Sequence, residues 1–438
     1  MTAISISLRY FASLRLCVVL FSPVLPASLD IASAQSQKTE LRLTNLAHLN
    51  HLYEEITLAG KAVAIVHIYC EYPDYQWVGD ADEGIACVDD AARAAVVYLR
   101  HYEVTGDSSS LRRSRRLLDF CRQMQAEEGL FYNFIHADYA INRDGRTSFK
   151  SLGWWTARAV WALGEGYRVY RAREPEYAAA LQACMQKVFF HLDTLLVHYP
   201  EIDSSNGFLA PRWLLYNSAA DATSELMLGL VNYAQASNDR RVIAYLEKFS
   251  TGLLAMQCHR EIAEPRGMFL SWRNIWHGWG NSQSQALAPT AALLQNHKIR
   301  EAVQREVNSF YPFWMKSGWR RELEFAKAPD WRLARADTFP QIAYAVRPMI
   351  AGALRLAEIS GEDRYAELAG ELATWFFGNN PAQAVMYDSR TGRGFDGILS
   401  KTKINRNAGA ESTIEALLSL LEVEANAAAR TRLYSGMK

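Results

Sequence analysis

Six stretches of this chain are apolar nearly all the way round when read at helical periodicity, and a helix with no polar face must be buried on every side. They cover about 88–103, 153–170, 219–235, 283–295, 340–358 and the first half of 410–428. Short turns follow the first five: VTGDSS (104–109), RAREPE (171–176), ASNDRR (236–241), QNHK (295–298) and ISGEDR (359–364). Gly, Asn, Asp and Pro are the residues that tight helix–helix connections use. The segments after the turns are amphipathic. In 108–126, Leu111, Leu117, Leu118, Cys121 and Met124 form one stripe against Arg112, Arg113, Arg115, Arg116 and Arg122. Segments 176–197, 239–257, 299–316 and 362–377 read alike, and a helix near 41–60 is expected to supply the sixth outer member. A strand is expected at 62–69 (AVAIVHIY). The pattern predicts an all-α fold: a closed ring of six buried helices wrapped by six amphipathic ones, in a repeat of about 50–65 residues. An open solenoid would need polar terminal caps that the two end helices lack.

The short turns then share one face of the ring and the long loops share the other. Those loops (67–87, 127–151, 198–218, 258–281, 317–338 and 378–409) are dense in Trp, Tyr, His, Asp, Asn and Arg. Long loops on a rigid scaffold carry function, and this composition suits an extended, hydroxyl-rich ligand. With 47 basic and 47 acidic residues in 438 there is no net charge, which argues against a nucleic-acid partner. The N-terminus reads as an export signal over residues 1–35, leaving 36–438 as one domain. Arg9 and Arg15 precede an apolar stretch, and Ala32–Gln35 offers a cleavage site. The apolar stretch is too short and Pro-broken for a membrane span, so the mature chain is expected to be secreted or periplasmic, without stable membrane insertion. Of the mature cysteines, Cys121 and Cys184 read as buried thiols, and a Cys70–Cys87 bridge is one option. The sequence leaves oligomeric state open.

These features resemble the six-hairpin glycosidase superfamily, the (α/α)6 toroids, over the whole mature chain. WFFGNNPAQAVMYD (375–388) is similar to a late segment of glycoside hydrolase family 9. In that family a catalytic acid glutamate lies downstream, at the head of the last inner helix, where NRNAGAESTIEALL (405–418) places Glu411. An early-loop aspartate of the family has its nearest match in GDADEG (79–84) or in the Asp89–Asp90 pair. The chain lacks the family's DAGD and its His-Arg segment. The resemblance implies an oligo- or polysaccharide substrate and no cofactor.

Glycoside hydrolysis needs two carboxyl groups across the scissile bond. Asp89 and Asp90 open an inner helix at the long-loop face. A helix N-terminus favours the ionised form, which suits a base or nucleophile, although Asp is also a favoured cap and Arg93 a simple partner for it. Glu411 is the candidate acid, and Glu225, a lone acid in an apolar helix, is held in reserve. Trp276, His277, Trp279, Asn281 and Gln283 (in WHGWGNSQSQ), with Trp154 and Trp155, offer ring stacking and amide hydrogen bonds for a sugar subsite. The alternative is a polysaccharide lyase or sugar epimerase using His136, Tyr139 or His277, with Arg143, Arg212 and Arg273 gripping a uronate. A non-catalytic glycan-binding protein would use the same aromatic mouth. No phosphate loop, metal-ligand spacing or nucleophile elbow is present, so no metal or nucleotide is expected.

Overall fold

The computed structural model describes residues 41–205, 207–258, 265–326 and 331–437. The expected export signal, residues 1–35, lies outside them. Among the described residues no helix is long and apolar enough to cross a membrane.

Twelve helices alternate between two layers. The inner ones are α1 (Val88–Thr105), α3 (Trp154–Tyr170), α5 (Ala220–Ser237), α7 (Gln283–Leu293), α9 (Arg347–Ser360) and α11 (Ala410–Ala425). The outer ones are α2 (Ser108–Gln123), α4 (Pro175–Leu196), α6 (Arg240–Ala255), α8 (His297–Arg305), α10 (Asp363–Ala373) and α12 (Ala427–Gly436). Each inner helix packs on the next, α11 packs back on α1, and each outer helix backs the inner one before it. The ring therefore closes. Where α3 meets α5 the backbones touch: a Cβ at Gly229 would sit 2.1 Å from the Val160 carbonyl oxygen, so only glycine fits.

The inner-to-outer turns share one chemistry. Gly106, Asn238, Gln295 and Gly361 stand in left-handed conformation at or just past the helix ends. Asp107, Asp239 and Asn296 follow three of them and accept backbone N–H bonds from the next outer helix. Because the turns are so short, all inner helices end at one face, and their N-termini and the long loops meet at the other.

Two expectations are corrected. The segment 41–60 is not an outer helix. After a short helix (Ala47–Leu52), Tyr53–Leu58 pairs with Lys61–Val66 in an antiparallel hairpin turned at Ala59–Gly60, both with positive φ. The apolar run Val63–Val66 is wholly buried in that pairing, covering α2. The sixth outer helix is instead α12, which Asn426 separates from α11 by capping Ala429. The Cys70–Cys87 bridge does not form either, since both are free, buried thiols.

The outer helix expected over 299–316 is interrupted by a π-helical segment, Glu306–Phe310. Pro312 has no N–H to give the preceding turn, which disrupts the regular ladder there. Glu306 is buried at this step, accepting hydrogen bonds from the Phe269 N–H (2.9 Å) and the Ser284 hydroxyl (2.5 Å). Burial without a cation raises its pKa from 4.5 to about 8. The folded state thus holds this proton more tightly than the unfolded chain. Stability from it is complete below pH 4.5 and declines as pH rises to about 8. Glu306→Gln, already neutral, is expected to escape this decline. Its advantage should grow between pH 5 and 8, to at most about 5 kcal/mol. Urea unfolding at several pH values measures it, and a pH-independent difference would contradict the buried proton.

Candidate active site

The N-termini of the inner helices surround a charged floor. Glu415, on the second turn of α11 and fully buried, accepts hydrogen bonds from Arg93 on α1 and Arg347 on α9, each at 2.7 Å. Arg347 also reaches Glu225 on α5 (3.2 Å) and the Gln285 side-chain Oε1 on α7, while the Ser282 hydroxyl donates to Glu225. The guanidinium groups of Arg93, Arg158 and Arg347 stand 5.1, 5.2 and 5.6 Å from the centre of the Tyr344 ring. The network ties helices on all sides of the ring into one rigid base. The opposite end of the ring is laced by other ion pairs, among them Arg100–Glu165 and Arg355–Glu422.

On this floor lie the two leading carboxylates. Asp89, in the first turn of α1, forms an ion pair with Arg158 (2.9 Å) and accepts weakly from the Asn133 amide (3.4 Å), both at Oδ2. Its Oδ1 is buried and has no hydrogen-bond partner among the described residues. Glu411, in the first turn of α11, stands 3.4 Å from Arg93. Its side chain is 49% exposed, at the cleft and a side hollow, within surrounding protein. That protein, with the nearby Asp90 charge, pushes its pKa up against the opposing pull of Arg93 and Arg158. The Glu411 pKa is therefore raised despite the helix N-terminus beneath it.

Asp90 plays a different part from its neighbour. It is buried and bonded to Arg93 at 2.7 Å, and burial raises its pKa. Neither aspartate caps the helix. That role falls to Cys87, whose sulfur accepts from the Asp90 N–H. Three guanidinium groups face five carboxylates here: Arg93, Arg158 and Arg347 against Asp89, Asp90, Glu225, Glu411 and Glu415.

A cleft of about 500 Å³ opens above. Asp89 and Glu411 line it, between walls formed by Trp154, Trp155, Trp279, Trp319, Tyr344 and Trp375. A side hollow of about 330 Å³ shares Glu83, Asp89, Phe134 and Glu411 with it and adds Tyr69, Asp90 and Arg93. The carboxylates thus sit where two hollows meet.

The remaining sequence candidates fall into two groups. Trp154, Trp155 and Trp279 reach the cleft, and of GDADEG it is Glu83 that does so. Others build the scaffold instead. Trp276 is buried edge-on to Phe310 and Trp314, and Asn281 and Gln283 are buried on backbone carbonyls. Glu225 lies buried in the floor, where Arg347 lowers its pKa against burial, so it does not face the cleft. His136 and Tyr139 form a tight turn away from the cleft lining. Arg212 pairs with Glu201, and Arg143 and Arg273 lie over Tyr132 and Trp272. His277 sits under Trp279, stacked at 4.2 Å, with Nε2 3.0 Å from Asp221. Sequence reasoning missed Arg158, Tyr344, Arg347 and Glu415. A charge inside an apolar helix marks Arg158 and Glu415 as plainly as it marks Glu225.

No protein-family model and no curated protein matches the sequence. Solved structures do match. A sugar epimerase from a ruminal bacterium is 12% identical, with a TM-score of 0.59 over 88% of this chain and 97% of that one. The cellobiose 2-epimerase of Bacillus thermoamylovorans is 11% identical, at 0.54 over 82% and 92%. The fold is the six-hairpin (α/α)6 toroid. A glycoside hydrolase family 9 endoglucanase, J30, is also similar, at 14% identity and 0.50 over 86% and 83%. At such identities the likeness is one of toroid architecture. Within the toroid, the family 9-like segment places Trp375 on the cleft wall, and Glu411 heads the last inner helix.

Proposed function

We propose that this toroid is a carbohydrate-active enzyme, exported from the cell, that hydrolyses a glycosidic bond. Glu411 protonates the leaving oxygen. Asp89, paired with Arg158, activates water or attacks the anomeric carbon. The observation that carries this reading is that two carboxylates with opposed environments line one aromatic-walled cleft. Its surroundings raise the pKa of Glu411 against a distant Arg93, while Asp89 is closely paired with Arg158. The toroidal neighbours, an endoglucanase and sugar epimerases, support a sugar as substrate.

A sugar epimerase is the second reading, favoured by the His277–Asp221 pair beside Trp279. A carboxylate-oriented imidazole is a common proton carrier. His277, however, is covered by Trp279 and does not line the cleft. Incubation with a glycan panel separates the readings. Hydrolysis predicts new reducing ends without absorbance near 232 nm. Absorbance rising with cleavage means a lyase, and a rearranged sugar of unchanged size means an epimerase. Either would overturn the two-carboxylate reading.

A further inference from the structure

The cleft also contains positive charge that the proposed chemistry does not use. Arg158 is committed to Asp89 and Tyr344. Arg320 and Arg321 line the main cleft but not the side hollow, so they stand to one side of the carboxylate pair. Both are half-buried, and among the described residues neither forms an ion pair. Acids are close by in the same hairpin: Glu322, Glu324 and Asp337. All three are taken by Arg335, on the paired strand Arg332–Asp337. Arg335 thus contacts all three acids of the hairpin, while Arg320 and Arg321 line the cleft without an ion pair to any of them.

Their placement is built. Gly318 and Trp319 both have positive φ, +89° and +57°. A bulky residue in that region is strained and persists only where its surroundings enforce it. Here Trp319 is buried against Trp314, whose indole N–H donates to the Arg320 carbonyl at 2.7 Å. Arg320 is steadied by donating to the Thr338 hydroxyl (2.7 Å). The Arg321 guanidinium lies 5.0 Å from the ring centre of Trp279, one of the cleft walls. Stacking on a flat ring orients a guanidinium and leaves its edge N–H groups free for a two-pronged contact with an oxyanion. A neutral glycan would leave two half-desolvated cations unmatched, which is costly.

We infer that Arg320 and Arg321 form an anion subsite and that the substrate is an acidic glycan, carrying a uronate carboxylate or a sulfate ester on a sugar bound beside Trp279. The inference rests on the glycan-processing reading of the same cleft.

The test uses oligosaccharides of galacturonate, glucuronate and mannuronate, their carboxyl-reduced neutral twins, and the reduced twins resulfated. Binding to the full chain carrying Glu411→Gln is followed by tryptophan fluorescence. At least one acidic oligosaccharide is expected to bind about tenfold tighter than its neutral twin, because a charge-assisted contact replaces a neutral one. Added salt should shrink that gap. Arg320→Gln with Arg321→Gln should abolish it, and Arg321→Lys alone should keep part of it. A uronate preference and a sulfate preference identify the two sources of the anion. Neutral twins binding as well as every acidic form, or a preference that survives the double glutamine variant, would overturn the inference. Turnover by the unmodified protein separates the two claims. Acidic preference without any hydrolysis leaves the subsite standing and removes the hydrolase. Hydrolysis of neutral twins without acidic preference does the reverse.

Discussion

Asp89→Asn is expected to lower kcat on a cleaved glycan by about a thousandfold while barely changing the thermal midpoint, because a positioned carboxylate that acts as base or nucleophile contributes on that scale. The fold should survive. An asparagine Oδ1 can still accept from Arg158, and the cap of α1 belongs to Cys87 rather than to either aspartate. What disappears is the negative charge that the reaction uses. Asp90→Asn makes the contrast. That side chain is paired with Arg93 and contributes to the high pKa of Glu411. Its neutralisation should lower the Glu411 pKa, so the alkaline limb of the pH–rate profile moves to lower pH, with a much smaller loss at the optimum. Steady-state kinetics of both variants across pH measures this. Equal losses in the two would contradict the division of labour.

The second large effect concerns the floor. Glu415→Ala removes the carboxylate shared by Arg93 and Arg347 and leaves two buried guanidinium groups under-compensated. Breaking a buried ion pair by deleting one partner costs about 3–5 kcal/mol. Unfolding by urea at neutral pH should show a loss of that order. A change below about 1 kcal/mol, a surface pair's worth, would mean that water reaches the floor.

The ring was readable from the sequence because its inner helices have no polar face and its turns carry left-handed and capping residues, as at Gly106–Asp107 and Asn238–Asp239. The sixth outer helix was misplaced. Residues 41–60 alternate too weakly to reveal a hairpin turning at Ala59–Gly60, and Asn426 splits an apolar run that reads as one helix. At the site, Asp89 and Glu411 were legible as acids at inner-helix starts facing the long loops. Their different environments were not. These depend on Arg158, arriving from α3, and on Asp90 and Arg93, which meet Glu411 where α11 closes back on α1. Spacing within one segment also failed to sort WHGWGNSQSQ, where Trp276 and Trp279 are three residues apart yet one is core and the other cleft wall. The strand Ile275–His277 ends between them, and the chain turns at Gly278.

The division of roles between Glu411 and Asp89 is tested most directly by leaving-group dependence. Glu411→Gln is compared with the unmodified protein on a natural glycan and on dinitrophenyl glycosides of the same sugar, whose leaving group departs without a proton. If Glu411 is the acid, the variant loses about a hundredfold or more on the glycan and keeps most of its activity on the dinitrophenyl glycoside. Equal loss on both substrates, or none on either, would contradict the assignment of Glu411 as the proton donor.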